Sequence, residues 1–340
     1  MFKIKGSLKL KSSGERTSAG LDIGTSTIKL VELKFLKDTV ELARFNLEPI
    51  QADLSSQLKR IAPSQAINIS LSGASTVIRY IDFPRMKEDE LKQALRFEAQ
   101  KYIPFAINEV NLDSYILKED LSDNKMLVLV AAVKKEFINQ RLKLIQEAGL
   151  KTNIVDLDSL ALINAFNFNY SKEEDANIKN KTIALLNIGA SMSNLNILEN
   201  GHPVLSRDIY IAGNNLAGKM QDAVGIDLKS IGELEPNIDK EKLNKVVITA
   251  ESVLSDLSKE IRTSFDYYES QSASSVSKIF LSGGGSKFSG LKDMLANLLG
   301  IEVEYWDPLR QISIADSIDS KEAKELSAQL AVAVGLALRK

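Results

Sequence analysis

The chain contains no cysteine, one histidine and one tryptophan among its 340 residues. Without cysteine it can form neither disulfide bonds nor thiolate metal sites, and this composition suits a reducing compartment. Lys and Arg total 43 against 45 Asp and Glu, so the net charge of −2 gives no broad electrostatic footprint for nucleic acid. No apolar run approaches the roughly 20 residues of a spanning helix, and the N-terminus lacks a secretory apolar core. These absences predict a cytoplasmic protein that neither binds nucleic acid nor spans a membrane.

Apolar residues make up 44% of the chain, which is enough for a large core, and the length exceeds that of a usual single domain. We therefore expect two domains. Before them, residues 1–17 carry five basic side chains against one acidic side chain, Glu15. This composition predicts a basic flexible tail, with contact to anionic lipid as the alternative.

A turn of small residues joins two apolar runs between Gly20 and Leu33. The sequence Asp-Ile-Gly-Thr-Ser at 22–26 supplies a flexible glycine, backbone N–H groups and hydroxyls, all of which suit a phosphate. Asp22 can hold the waters of a magnesium ion, and Lys29 could either face solvent or neutralise phosphate. Taken alone, such a hairpin is more often a simple turn.

The same pattern recurs from Leu186 to Leu198 and aligns without a gap on Leu21 to Leu33. A third segment, Ile279 to Leu291, combines an apolar strand, a triple glycine at 283–285 and a helix start. In this order the three motifs resemble the actin-like nucleotide-binding superfamily, which includes sugar kinases and heat-shock chaperone ATPases. The resemblance implies an α/β fold of two duplicated, ribonuclease H-like domains that bind ATP and Mg²⁺ between them.

Residues 75–155 predict the order strand, helix, strand, strand, helix, strand. This βαββαβ order is ferredoxin-like and indicates a small subdomain inserted into the first domain. Within it, Gln93 to Phe105 is similar to the helix and Ile-Pro-Phe signature of the PilM family of type IV pilus assembly and of the related GspL proteins of type II secretion. The same residues would also suit an ordinary core helix that stops before Pro104.

These patterns divide the chain into a first actin-like domain at 18–74 and 156–175, the insertion at 75–155, and a second actin-like domain at 182–340. The second domain is expected to carry a helical upper part at about 213–277. The polar residues 171–180 predict the linker between the halves. The resemblance also implies that small residues near Gly335 let the last helix cross another helix closely.

The resemblance assigns the ATP-binding residues to the three motifs and to helices of the second domain. On one of these helices Glu260 and Ser264 would meet the nucleoside, although an amphipathic helix packed in the core explains that segment equally well. The expected cofactor-binding residues are Asp22, which is also the expected magnesium ligand, Gly24, Thr25, Ser26, Lys29, Asn187, Gly189, Ser191, Ser193, Gly213, Glu260, Ser264, Gly283, Gly284 and Gly285.

Asn187 stands at the position that matches Asp22, where many relatives carry a second carboxylate. An uncharged amide holds a magnesium-bound water less firmly, and the sequence identifies no catalytic base. We therefore expect ATP binding with slow or no hydrolysis.

The PilM resemblance implies a cytoplasmic scaffold that is held at the inner membrane through its partners. The inserted subdomain would bind the N-terminal peptide of a membrane-anchored PilN-like protein, by a sheet edge or an apolar groove. The candidate contacts are Phe97, Tyr102, Ile103 and Phe105. Pilus motor or platform proteins, and further copies of the chain in a ring, are also expected partners.

Two alternatives stay open. A small-molecule kinase of the same superfamily would need an acidic base beside an acceptor pocket. An FtsA-like filament former would need an amphipathic C-terminal helix, whereas the closing residues 331–340 are apolar on most faces and favour burial.

Overall fold

The computed structural model describes residues 16–61, 66–170, 172, 175–225 and 240–339. Nearly all of the predicted tail at 1–17 and part of the predicted linker at 171–180 lie outside the described residues. The strands are β1 (Arg16–Ile23), β2 (Thr27–Phe35), β3 (Val40–Pro49), β4 (Ile67–Leu71), β5 (Thr76–Pro84), β6 (Val110–Leu121), β7 (Lys125–Lys134), β8 (Thr152–Leu157), β9 (Thr182–Ile188), β10 (Ser193–Glu199), β11 (His202–Ile209), β12 (Lys278–Ser282), β13 (Glu302–Tyr305) and β14 (Ile312–Ile314). The helices are α1 (Leu54–Ile61), α2 (Glu88–Glu98), α3 (Lys135–Glu147), α4 (Asp158–Asn169), α5 (Ala176–Lys179), α6 (Gly213–Val224), α7 (Lys240–Glu269), α8 (Leu291–Leu299), α9 (Ser320–Leu326) and α10 (Ala331–Ala337).

Two large sheets repeat one topology. The first has the order β14-β3-β2-β1-β4-β8 and the second the order β11-β10-β9-β12-β13. In each, three consecutive antiparallel strands are followed by parallel strands, β4 and β8 in the first sheet and β12 and β13 in the second. The duplicated sequence motif therefore lies in a duplicated α/β architecture, with the hairpin β1-β2 equivalent to the hairpin β9-β10.

The inserted subdomain is smaller than the sequence predicted. Its sheet has three strands in the order β5-β7-β6, and α2 packs on it through Leu91 and Leu95. The expected fourth strand, β8, instead pairs in parallel with β4 of the first sheet, and α3 places Ile138 and Ile145 in the core of the first domain. The last four residues of β8 are all buried, which suits a strand covered on both faces rather than half-exposed. The ferredoxin-like description is thus corrected at its last two elements.

The closing segment also differs from its predicted place in the second domain. Strand β14 pairs with β3, and α10 packs against β1 and α4 in the core of the first domain. The close crossing predicted at Gly335 is confirmed, because a Cβ atom there would collide with the backbone of Ala161. Gly20 in β1 allows a second close approach, since its Cβ would lie 2.5 Å from the nitrogen of Ala337.

Polar contacts fix the end of α10. The amide of Asn68 donates to the Leu336 carbonyl at 2.8 Å. The guanidinium of Arg339 donates to the Asp156 carboxylate at 2.5 Å, and both side chains are buried. Across the part of the chain that is described, no helix has the length and apolar character needed to cross a membrane.

Candidate nucleotide-binding site

The turns of the two equivalent hairpins meet at the cleft between the large sheets. The hydroxyl oxygens of Thr25 and Ser191 lie 3.0 Å apart, although these residues are 166 positions apart in sequence. In each turn the N–H of the glycine, Gly24 or Gly189, donates to the carbonyl three residues along, at 3.1 Å and 3.0 Å. The two matching motifs therefore adopt the same local structure and present exposed hydroxyls at one place.

Glycine avoids close contacts where these turns close. A Cβ atom on Gly24 would lie 3.0 Å from the Thr27 oxygen, and one on Gly189 would lie 2.7 Å from the Met192 oxygen. The triple glycine packs directly against the second hairpin, because Gly283 has a φ of 91° and its Cβ would lie 2.8 Å from Oδ1 of Asn187. Its first and third glycines thus permit close packing of the hairpin.

Asp22 and Lys29 face each other across β1 and β2 and form an ion pair of 2.9 Å. Their side chains are only 11% and 14% exposed, so the lysine lies within the site and does not face solvent. Since Gly24 also lies beside the ammonium group, the pair brings a positive charge and a carboxylate to the first turn. This resolves the two orientations that the sequence allowed for Lys29.

Asn187 occupies the equivalent place in the second hairpin but is bound differently. Its Oδ1 accepts from the Ser282 hydroxyl, and its Nδ2 donates to Oδ1 of Asn194, both at 3.2 Å. The amide is therefore part of a hydrogen-bond network within the second domain. Its hydrogen-bond partners among the described residues are uncharged, unlike the lysine beside Asp22.

Three other predicted contacts are engaged inside the protein. Ser193 is fully buried and donates to the Ile211 carbonyl at 2.7 Å. Ser264 is 2% exposed and donates to the carbonyl of Glu260. The N–H of Gly213 donates to the Gly189 carbonyl at 3.0 Å, so α6 holds the second turn in place. These groups are engaged within the protein, and their direct contact with a nucleotide stays a prediction.

The remaining predicted residues lie in the first turn, after β12 and on α7. Ser26 is exposed in the first turn, and Gly284 lies in the short helical turn after β12. Glu260 is partly exposed and pairs with Arg207 of β11 at 2.5 Å. Arg207 also donates to the Ser264 hydroxyl at 3.0 Å, so β11 is joined to the helix expected to meet the nucleoside.

Asp158, at the start of α4, was not predicted from the sequence as a candidate site residue. Its pKa is raised to about 6, chiefly by burial and also by the charge of Asp22, while hydrogen bonds with the hydroxyls of Ser70 and Ser72 oppose the shift. Burial lowers the pKa of Arg141, and the negative charges of Asp158 and Asp22 both act against this shift. An aspartate in the first turn of a helix is usually a stabilising charge, so nothing in the local sequence distinguished this one.

The raised pKa of Asp158 predicts a pH-dependent stability. Because its folded-state pKa exceeds the unfolded value of 3.8, keeping the group ionised costs free energy, and this cost builds up as the pH rises from about 4 to about 6 and is constant above that range. Asp158→Asn should therefore raise the free energy of unfolding by about 1–2 kcal/mol at pH 8 and change it little near pH 4. Urea unfolding at both pH values measures this, with Asp266→Asn on the exposed face of α7 as the control. An equal effect of Asp158→Asn at both pH values would contradict the assignment.

A cavity of about 270 Å³ lies beside this site, where the first domain, the insertion and β11 meet. Two contacts join β11 to the facing residues of this junction, from the Gly73 N–H to Oδ2 of Asp208 at 3.0 Å and between the hydroxyls of Tyr80 and Ser206 at 2.8 Å. The residues that line the cavity include Leu71, Ala74, Val77, Arg79, Phe105, Asp158, Arg207 and Asp208.

The candidate partner residues lie in different environments. Phe105 lines the cavity, and the Lys134 ammonium lies 5.0 Å from its ring centre. Phe97 on α2 is 83% exposed and is not part of the cavity lining. Tyr102 packs partly buried on the subdomain core, whereas Ile103 is 4% exposed within it. Ile103 is therefore a core residue, which removes it from the contact surface.

Comparison with known proteins identifies the family. The model of the family described as type IV pilus assembly protein PilM matches residues 20–340. A chain of a solved PilM-PilN type IV pilus biogenesis complex is 26% identical, with a TM-score of 0.81 over 95% of this chain and 98% of that one.

Two more distant structures share the fold. The ethanolamine utilization protein EutJ from Carboxydothermus hydrogenoformans is 12% identical, with a TM-score of 0.51 over 95% of this chain and 89% of that one. A Bacteroides thetaiotaomicron protein with an actin-like ATPase fold is 10% identical, with a TM-score of 0.50 over 95% and 96% of the two chains. The predicted α/β, two-domain actin-like fold is confirmed, and the chain belongs to the PilM family of type IV pilus assembly proteins.

Proposed function

We propose that the chain is an ATP-binding scaffold of type IV pilus assembly that docks the N-terminal cytoplasmic peptide of a membrane-anchored PilN-like partner. The observation that carries this proposal is the cavity under the inserted subdomain, which lies beside two facing hairpins suited to phosphate. Family membership and the likeness to a chain of a PilM-PilN complex support it. The partner would hold the chain at the inner membrane.

The nucleotide would bind at the two turns. Exposed hydroxyls of Thr25, Ser26 and Ser191 and nearby backbone N–H groups offer donors to phosphate oxygens, and Lys29 offers a positive charge. Glu260 remains the proposed nucleoside contact. Because binding at both turns would join the two domains, nucleotide should stabilise their closed arrangement.

Mg²⁺ fits this arrangement through Asp22. In the described residues there is no group of three or more acidic or histidine side chains that could hold a metal ion. Magnesium in nucleotide sites is commonly held by one or two carboxylates together with phosphates, so a single carboxylate is sufficient. The ion would supply charge neutralisation for the phosphates, and Asp22 would orient its waters.

Hydrolysis would be slow or absent. A hydrolase needs a positioned group that orients or activates water. Asp158 has a suitable pKa, but its carboxylate is engaged by the hydroxyls of Ser70 and Ser72. The same residue, placed on a cavity wall, is the specific observation that favours the alternative of a small-molecule kinase. In that case phosphate transfer would require an acceptor in the cavity.

The peptide would use the cavity as an anchor. Its volume is below the usual range of complete ligand pockets, so it would take one or two side chains of an extended segment. The apolar lining from Leu71, Val77 and Phe105 suits aliphatic groups, while Arg79 and Asp208 offer polar contacts at the same site. Phe97 and Tyr102 remain secondary candidates. Contacts with pilus motor or platform proteins and ring formation remain predictions.

Filling the cavity should weaken peptide docking. Ala74 is exposed at the cavity wall, so Ala74→Tyr is expected to weaken binding at least about tenfold without loss of stability. Calorimetric titration with the N-terminal peptide of the PilN-like partner measures this, and Ala52→Tyr, in an exposed loop before α1, is the matched control. Phe97→Ala in the same titration tests the exposed ring. Unchanged binding by Ala74→Tyr would place the peptide elsewhere.

A further inference from the structure

Strand β11 connects the candidate nucleotide site to the cavity. Its neighbouring residues Arg207 and Asp208 both line the cavity. Arg207 also donates to Ser264 of α7, and Asp208 accepts from Asn194 of the second hairpin. Side chains of adjacent residues on a strand lie on opposite faces, so one short segment can reach two different parts of the second domain. This segment therefore belongs to both sites.

One connection is a continuous chain of hydrogen bonds, here called the amide relay. It begins at Asn187 in the second hairpin, whose Nδ2 donates to Asn194 at 3.2 Å. Asn194 in turn donates to Oδ1 of Asp208 at 2.7 Å. The other carboxylate oxygen of Asp208 accepts from the N–H of Gly73 in the first domain at 3.0 Å. Each side chain uses both of its polar ends, and Asn194 is 3% exposed, so a shift at one end must break or move the next bond.

The second connection runs through Arg207. Its guanidinium binds the Glu260 carboxylate at 2.5 Å and the Ser264 hydroxyl at 3.0 Å. Glu260 is the proposed nucleoside contact, so a ligand that engages its carboxylate changes what holds Arg207 at the cavity wall. Both connections thus start at proposed nucleotide contacts and end in the lining of the same cavity.

We propose that β11 couples nucleotide binding to the cavity: when nucleotide binds, the hydrogen bond from the Gly73 N–H to Asp208 weakens. Phosphate oxygens beside Asn187 compete with Asn194 for its amide donor, which weakens the amide relay from its first bond onward. By thermodynamic reciprocity, a ligand in the cavity changes the affinity for nucleotide by the same factor. This inference rests on the proposed function and adds its regulation.

Hydrogen exchange at the Gly73 amide tests the relay directly. The full chain is compared with and without Mg²⁺ and a non-hydrolysable ATP analogue, and a separate titration with a fluorescent ATP analogue measures nucleotide binding. Exchange at Gly73 should become at least about fivefold faster on binding, at the lower end of typical coupling between sites. In Asp208→Asn this response should be lost, because an NH2 group replaces one of the two acceptor oxygens and would face a donor, either Asn194 Nδ2 or the Gly73 N–H.

Ser206→Ala is the matched control, since it removes the contact between β11 and Tyr80 of β5 while leaving the amide relay in place. It should keep the response, and Asn194→Ala gives a second break in the relay if Asp208→Asn folds poorly. Nucleotide binding with unchanged or slower exchange at Gly73, or a full response in the relay variants, would overturn the inference and leave the proposed function standing. Absence of binding in the titration would overturn both.

Discussion

Gly335→Ala is expected to lower the free energy of unfolding by about 3 kcal/mol or more. The new methyl group would overlap the carbonyl of Ala161, whose carbon would lie 2.5 Å away and whose Cα would lie 3.0 Å away. Helix α10 cannot move aside easily, because Asn68 binds its last turn and the buried pair of Arg339 and Asp156 fixes the chain two residues beyond its end. Urea unfolding measures the loss.

The control is the same substitution in a helix with open space. Gly218 lies within α6, and no atom comes within 4 Å of the position that its Cβ would take. Gly218→Ala should therefore stabilise the chain by about 0.5–1 kcal/mol through helix propensity and reduced freedom of the unfolded chain. Similar effects of the two substitutions would show that α10 and α4 do not pack as closely as the structure indicates.

Ser191→Glu is expected to weaken ATP binding by about 100-fold, which corresponds to about 2.7 kcal/mol. The substitution places a carboxylate at the tip of the second turn, where phosphate oxygens are proposed to lie. Like charges about 4 Å apart near a protein surface repel by about 4 kcal/mol before relaxation and screening. Ser191 is exposed, so stability should change little. Titration with Mg²⁺ and a fluorescent ATP analogue measures the affinity.

Ser122→Glu supplies the comparison for charge alone, because Ser122 is exposed in the turn between β6 and β7 of the insertion. It should bind ATP with an affinity close to that of the unaltered chain. If Ser191→Glu also binds within about threefold of the unaltered chain, the phosphates do not lie between the turns.

Local sequence was sufficient to predict the structure of the two hairpin turns. The spacing of Asp22 and Gly24, repeated at Asn187 and Gly189, fixed two equivalent hairpins because glycine and strand alternation act over a few residues. The partner of a strand depends instead on distant residues. For this reason β8 was assigned to the insertion although it pairs with β4.

The side chains of the site show the same division. The sequence predicted that the hydroxyls of Ser193 and Ser264 contact a nucleotide, but whether a hydroxyl faces solvent or a carbonyl depends on packing across the fold. The environments of Asp158 and Asp208 are set by neighbours more than 50 residues away in sequence, such as Ser70 for Asp158 and Gly73 for Asp208. No local pattern contains that information.

Thermal unfolding of the chain with and without Mg²⁺ and ATP, with phosphate release followed in the same samples, tests the central claim most directly. The account predicts that ATP raises the midpoint by several degrees while phosphate release stays negligible, because a ligand that binds the folded state stabilises it by mass action. Rapid release would contradict the scaffold and favour the kinase or a hydrolase. An unchanged midpoint at saturating ATP would contradict nucleotide binding at the two hairpins.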